Sequence, residues 1–375
     1  MVTSTSEVVA LASALVAAES INPTLVPGGS GEAAAAEVVV AWARGAGLSV
    51  ETDEAAPGRP NVLVRAPGIG EGARLLLNGH LDTVGVTGME RPFTPELRAG
   101  NLYGRGAYDM KGGLAAALVA AAAAHKERLA GEVVVACVID EEHQSTGTQR
   151  LVERLSAEAA IVCEPTDEQV CSSHKGFVGF EIEMPGRAAH GSRPDLGIDA
   201  IAAIGPVLTR LGELAQALRS SPGDELLGPG SVHASLISGG QEYSSYPARC
   251  LLTAERRTVP GESLELIQAE LDALVAGTEA NVRVTFSRDP FRLDPNGQFT
   301  QTLVRLAGAG AAAGVPFWTD AALLAAAGIP TLVYGPRGGG AHGVEEWVEL
   351  ASLERCSRVY LEAARRFCAE RGAPD

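Results

Sequence analysis

A histidine and several carboxylates recur in this 375-residue chain at one kind of place, the first positions after short apolar segments. His80 follows Leu75-Leu76-Leu77-Asn78-Gly79, Glu141 and Glu142 follow Val138-Ile139-Asp140, and Glu164 follows Val162-Cys163. The apolar segments read as strands buried on both faces. In open α/β sheets, ligands gather outside the carboxyl ends of strands. One rim would therefore carry an imidazole and several carboxylates. Carboxylates crowded together repel one another, and a divalent metal pair relieves that repulsion. Histidine with carboxylate ligands suits zinc or a similar borderline metal. Each fragment alone is ordinary, since a histidine after a strand is commonly a loop residue and Asp-Glu-Glu a solvated turn. Their coincidence on one edge is what points to a metal.

The elements that must position these residues follow from the apolar pattern. Strands are expected at 61–65, 74–78, 133–139 and 159–162, with helices at 6–18, 32–46 and 111–124. Alternation of strand and helix implies an α/β fold, a mixed, mostly parallel sheet flanked by helices. The middle of the chain reads differently: strand 177–183, helix 197–218, strands 231–237 and 250–255, helix 264–275, strand 282–287. That order is βαββαβ, the ferredoxin-like pattern. The first style then resumes with a helix at 303–313, a strand at 331–334 and a last helix at 352–371. A small domain, 175–285, is thus expected inside a larger one made of 1–174 and 286–375.

Composition excludes several classes. The net charge is −16, which disfavours a nucleic-acid binder, because phosphate backbones call for basic patches. It equally disfavours an anionic membrane surface. No apolar run approaches the ~20 residues that span a bilayer, and the N-terminus lacks the basic start and long apolar stretch of a signal peptide. The six cysteines form no Cys-x-x-Cys pair, so a reducing compartment fits and a disulfide framework does not. A cytoplasmic location is expected. There is neither a Gly-x-Ser-x-Gly elbow nor a Gly-x-x-x-x-Gly-Lys-[Ser/Thr] loop, which removes the common serine-hydrolase and nucleotide-loop readings.

Four segments together carry a resemblance: Gly79-His80-Leu81-Asp82-Thr83-Val84, Gly104-Arg105-Gly106-Ala107-Tyr108-Asp109-Met110-Lys111-Gly112-Gly113, Asp140-Glu141-Glu142 and Cys163-Glu164-Pro165-Thr166. They resemble the di-zinc amidohydrolase and metallopeptidase family that includes acetylornithine deacetylase, succinyl-diaminopimelate desuccinylase, aminoacylase and the glutamate carboxypeptidases. The resemblance extends over nearly the whole chain. It implies two zinc ions per subunit, with cobalt or manganese as substitutes. It implies His80 and Glu164 on one ion, Glu142 and His342 on the other, and Asp109 bridging both, with a cis peptide after Asp109. Asp82 would accept the second N–H of His80, as carboxylates behind metal-bound histidines do. Glu141 would be the general base.

The inserted domain would be a lid through which two subunits form a homodimer. His190, in Ala188-Ala189-His190-Gly191-Ser192, resembles the family's lid histidine, which reaches the partner's site and stabilises the oxyanion. Arg257, beside Arg256, resembles the arginine that grips a substrate carboxylate, a task suited to a bidentate guanidinium. Gly339, in the Gly338-Gly339-Gly340 loop before His342, would let backbone approach the substrate. Ser244 stands where many members carry Asn, which departs from the usual substrate contact. The implied reaction is hydrolysis of a small, carboxylate-bearing N-acyl amino acid. A dipeptidase or glutamate-type carboxypeptidase is the alternative with the same mechanism, and a non-catalytic binding protein the reading from another class.

Overall fold

Runs of Leu, Val and Ile make the strands Arg74–His80, Glu132–Val138 and Ala159–Val162 apolar on both sides, and all but their first polar residues, Arg74 and Glu132, are buried. In the computed structural model, which describes residues 6–369, these strands pair in parallel, and Thr331–Val333 extends them in the same direction. Register aligns their carboxyl ends: His80 lies opposite Val138, and Asn78 and Val333 both lie opposite Val162. The loops carrying His80, Glu141–Glu142 and Glu164 therefore leave the sheet at one level. The sheet is mixed. Its four central strands are parallel, and antiparallel strands Arg59–Ala66 and Ser49–Ala56 extend one side.

Two compact units divide the chain. The first, residues 1–172, 293–313 and 319–375, holds this sheet and the helices Glu7–Ala17, Ala33–Gly45, Gly112–Glu127 and Leu350–Phe367. The alanine-rich helix Gly112–Glu127 is almost wholly buried, its small side chains permitting close approach on several sides at once. A Cβ at Gly113 would overlap the Cys163 carbonyl, so glycine lets the helix start lie directly against the residue preceding Glu164. A second, smaller sheet of short strands, Glu96–Arg98, Asn101–Tyr103, Trp347–Glu349 and Gly338–Gly339, ties the segment before Asp109 to the segments on either side of His342. All six cysteines are free and buried.

The second unit comprises Ser173–Arg292 and Gly314–Trp318. Its antiparallel sheet runs Ser231–Gly239, Arg249–Thr258, Gly176–Pro185, Asn281–Arg288. Helices Gly205–Ser220 and Leu264–Val275 are the two crossovers, and Val178, Phe180, Ile182, Leu252, Val207 and Ile267 fill a separate core. Element order and strand order are those of the ferredoxin-like pattern.

Several element boundaries differ from the sequence expectation for identifiable reasons. The helix expected at 197–218 is two pieces, Ala200–Ala203 and Gly205–Ser220. The second restarts with Pro206 in its first turn, where a missing N–H costs nothing. The helix expected at 303–313 is Gln298–Ala307, closed by Gly308 at φ 67°, a left-handed cap that glycine adopts without penalty. The last helix is Leu350–Phe367, and residues 370–371 of the expected helix lie outside the described residues. Strand Ser49–Ala56 was not anticipated, because its acidic and small residues carry no apolar alternation. Instead Asp53 pairs with Arg150 and Arg154, and Glu51 with Arg65 and Arg154.

The contact at Gly113 yields a direct test. Gly113→Ala is expected to lower unfolding free energy by about 1–3 kcal/mol, the usual cost of overpacking, measured by chemical denaturation. An unchanged denaturation midpoint would show that the helix and strand have room to separate.

Candidate metal centre

Asp109 stands between two imidazoles. Its Oδ1 lies 3.2 Å from His80 Nε2 and its Oδ2 lies 3.3 Å from His342 Nε2. Each histidine also faces a glutamate, with His80 Nε2 3.5 Å from Glu164 Oε1 and His342 Nε2 3.1 Å from Glu142 Oε2. The chain thus presents two His–carboxylate pairs that share one aspartate. Glu141 joins the first side, since ligand atoms of His80, Glu141 and Glu164 lie within 4.8 Å of one another, as do those of His80, Asp109 and Glu142. The Asp109–Met110 peptide is cis. His342 is in the left-handed region at φ 60° and is the most exposed of the five.

Buried polar contacts fix these loops from below. The Asp82 carboxylate accepts the backbone N–H groups of Glu141 and Glu142, both at 3.2 Å, and the Asn22 amide at 2.8 Å. The same Asn22 nitrogen donates to Asp140 at 2.9 Å, and Asp140 also accepts from Arg59 at 3.1 Å and from the Thr146 hydroxyl at 2.9 Å. Asp140 sits at φ 67°, an uncommon backbone for a residue other than glycine, and this set of donors holds it there. His80 Nδ1 is 2.9 Å from the Asp82 carbonyl and 3.6 Å from its carboxylate. This corrects the sequence expectation: the hydrogen-bond partner of the ring is the Asp82 backbone, while its side chain is engaged by Asn22 and the glutamate loop.

The electrostatics fit a cation. Burial, reinforced by Glu164, raises the Glu141 carboxyl well above its ordinary range, and burial with Asp109 does the same to Glu164. Burial and Asp109 also raise Glu142. Hydrogen bonds with Asp109 and then Glu142 push the His342 ring up to about 10. Burial opposes charge on His80, yet Asp109, Glu164 and Asp82 together raise it well above its ordinary value. Against the upward push of its own burial, the two imidazoles hold Asp109 well below the usual carboxylate range. By itself this donor set must hold protons to stay together. A divalent ion can take their place, since metal binding displaces protons from its ligands.

The remaining predicted residues have their own surroundings. Gly339 lies in the short strand beside Trp347, and a Cβ there would press on the indole. His190, Ser244 and Arg257 belong to the second unit. His190 is exposed, its Nδ1 2.8 Å from Ser192 Oγ. The carbonyl of exposed Ser244 accepts the Gly191 N–H at 2.6 Å, which ties it to the His190 loop. Arg257 donates to Glu255 at 2.6 Å and stacks over Phe177 at 4.9 Å. Arg256, the other guanidinium at this point, is buried and bound by Glu262 and Glu270, which leaves Arg257 as the accessible one.

Three residues at the centre escaped sequence reasoning. Glu346 is buried beneath Asp109 and accepts its N–H. Asn22 joins Asp82 to Asp140 as described. Buried Asp320, pushed up to about 6 chiefly by burial, accepts the Thr148 hydroxyl at 2.6 Å, and Thr148 in turn accepts from Asn78 at 3.2 Å. Their sequence neighbours carry no signal of this, because each meets its partners only in the folded chain.

The chain is similar to known proteins over most of its length. Residues 76–366 match peptidase family M20/M25/M40. An acetylornithine deacetylase from Myxococcus xanthus is 33% identical over 347 residues, 87% of this chain and 90% of the relative. Two solved structures share the fold. A tripeptidase from Staphylococcus aureus has a TM-score of 0.80 at 21% identity, covering 96% of this chain and 98% of its own. A dinuclear metal-binding peptidase from Bacillus subtilis has a TM-score of 0.70 at 16% identity, covering 96% and 97%. Among the described residues, no helix is long and apolar enough to cross a membrane. The chain belongs to peptidase family M20/M25/M40 and is a hydrolase of amide bonds.

Proposed function

We propose that this chain is a deacylase that cleaves the amide bond of a small N-acyl amino acid, with two zinc ions per subunit. The observation that carries the reading is Asp109 placed with one oxygen toward each of two His–Glu pairs. When bound, the ions would polarise the scissile carbonyl and acidify the attacking water. His80, Glu164 and Asp109 would hold one, Glu142, His342 and Asp109 the other, and cobalt or manganese would substitute. Glu141 takes the water's proton and returns it to the leaving amine. Its buried, carboxylate-rich setting suits that exchange, because a raised pKa brings a carboxylate nearer the operating pH. Asp82 keeps Glu141 aimed through the backbone N–H it accepts.

In the second unit, Arg257 would receive the substrate carboxylate with the N–H groups that Glu255 leaves free. His190 would stabilise the oxyanion from the partner subunit, and Ser244 and Gly339 would line the substrate. Preference for an acyl amino acid over a peptide is supported by the similarity to the Myxococcus acetylornithine deacetylase. The dimer reading is supported by the sheet edge of the second unit. Strand Ser231–Gly239 is unpaired on its outer side, and Leu236 and Ile237 on it are 70% and 53% exposed. A cytoplasmic location is supported by the six free cysteines.

Glu141→Gln is expected to retain its metal while kcat falls by about 100- to 10,000-fold, the range for losing a general base. Metal analysis and turnover on N-acetyl- and N-succinyl-amino acids beside dipeptides check both halves. Release of amine from dipeptides alone would favour the dipeptidase or carboxypeptidase reading, and no turnover of any substrate by metal-loaded protein would favour a binding protein. For the dimer, Leu236→Asp is expected to shift the sedimentation mass from dimer to monomer and to lower activity with it. A wild-type protein that sediments as a fully active monomer would rule out both the dimer and a role for His190 across it.

A further inference from the structure

The His342 side of the centre has the less secure ligand. His80 rises from a buried strand, whereas His342 sits on an exposed turn. Something must hold that turn against the loop carrying Asp109. Glu346, four residues beyond His342, is 1% exposed and engages four donors. Its Oε1 accepts the backbone N–H groups of Tyr108 at 2.9 Å and Asp109 at 3.0 Å. Its Oε2 accepts the Gly106 N–H at 3.0 Å and Arg105 Nη1 at 2.6 Å. Arg105, 3% exposed, spends its other terminal nitrogen on the Gly343 carbonyl at 2.8 Å, directly after His342. The Glu346 backbone carbonyl accepts the Gly104 N–H at 3.1 Å. One carboxylate and its guanidinium thus clasp both loops, at the residue next to His342 and at the N–H of Asp109.

We propose that Glu346, acting with Arg105, is a positioning residue for the metal position formed by His342, Glu142 and Asp109, and that it sets the affinity of that position selectively. The proposal rests on the metal-centre reading above. The His80–Glu164 side shares Asp109 with the clasped position, but its other two ligands are held independently of the clasp, His80 by its strand and the Asp82 carbonyl and Glu164 by the neighbouring strand end. The clasp touches neither His80 nor Glu164. Charge matters as well as shape: a carboxylate can accept all four donors, whereas an amide of the same outline would turn one N–H group toward Gly106 and Arg105.

The test counts metal rather than turnover. Metal-free protein is titrated with cobalt chloride, bound cobalt is counted after desalting, its visible absorption is followed, and thermal unfolding of the metal-free form is recorded. Wild type is expected to take two ions. Glu346→Gln is expected to keep one at wild-type affinity and to bind the other about 10- to 100-fold more weakly, the usual effect of losing a group behind a metal ligand. Arg105→Lys keeps a positive charge but cannot reach both Glu346 and Gly343, and it is expected to show the same selective loss should Glu346→Gln fold poorly. Val39→Ala, a cavity in the core of the same unit, serves as a stability control and should bind two ions despite a lower melting temperature. Two cobalt ions bound at wild-type affinity by both clasp variants, or equal weakening of both positions, would overturn the proposal. If wild type takes up no cobalt, or Asp109→Asn binds as much as wild type, the metal-centre reading itself fails.

Discussion

Everything at this centre answers to one constraint, the cost of holding carboxylates close together away from water. Asp109, Glu141, Glu142 and Glu164 converge on two imidazoles, and Asp82, Asp140 and Asp320 lie just behind them. Charges of one sign in a poorly solvated space are stable only when paired, hydrogen-bonded or neutralised. The chain meets the requirement in two layers. In the rear layer the protein itself supplies the partners: Asn22, Arg59, Thr146 and backbone N–H groups serve Asp82 and Asp140, and Thr148 serves one oxygen of Asp320. The front layer is left to protons or to a metal. That division separates the structural acids from those available for chemistry.

The same constraint explains the choice of scaffold. Parallel strands in register deliver the ends of several chain segments to one level, and those ends carry the ligands of the His80 side. On the other side Glu142 comes from the same rim, but His342 is brought in by a small antiparallel sheet of two- and three-residue strands. Lys111, buried and pushed down to about 7 by that burial, donates to the carbonyls of Leu15 and Ala18 and so anchors the end of the first helix to the segment after Asp109.

What could be read in the sequence follows from how local each signal is. The central strands were legible because Leu75–Leu77 and Val133–Val135 are apolar runs with one sensible fate. The ligands after them were legible because strand ends determine where they emerge. Glu346 was not, since nothing distinguishes it from Glu345 until the short strands Asn101–Tyr103 and Trp347–Glu349 pair and bury one of the two. The surroundings of the Asp82 side chain are likewise set by residues distant in sequence. The resemblance implies a direct contact with His80, whereas the Asp82 carboxylate accepts from the amide of Asn22, sixty residues earlier. The restart at Pro206 and the stop at Gly308 are local signals, whereas apolar periodicity runs on past both.

The outer strand Ser49–Ala56 has a consequence for life at high protein concentration. The free edge of a sheet is a template on which another chain can add a strand, and charged side chains along it discourage such growth. Here the edge strand carries Glu51, Asp53 and Glu54, with polar Thr52 among them. In the second unit, the edge strand Ser231–Gly239 bears exposed Leu236 and Ile237 instead. The first edge is thus guarded by charge against indiscriminate strand addition, and the second lacks that protection at these two positions.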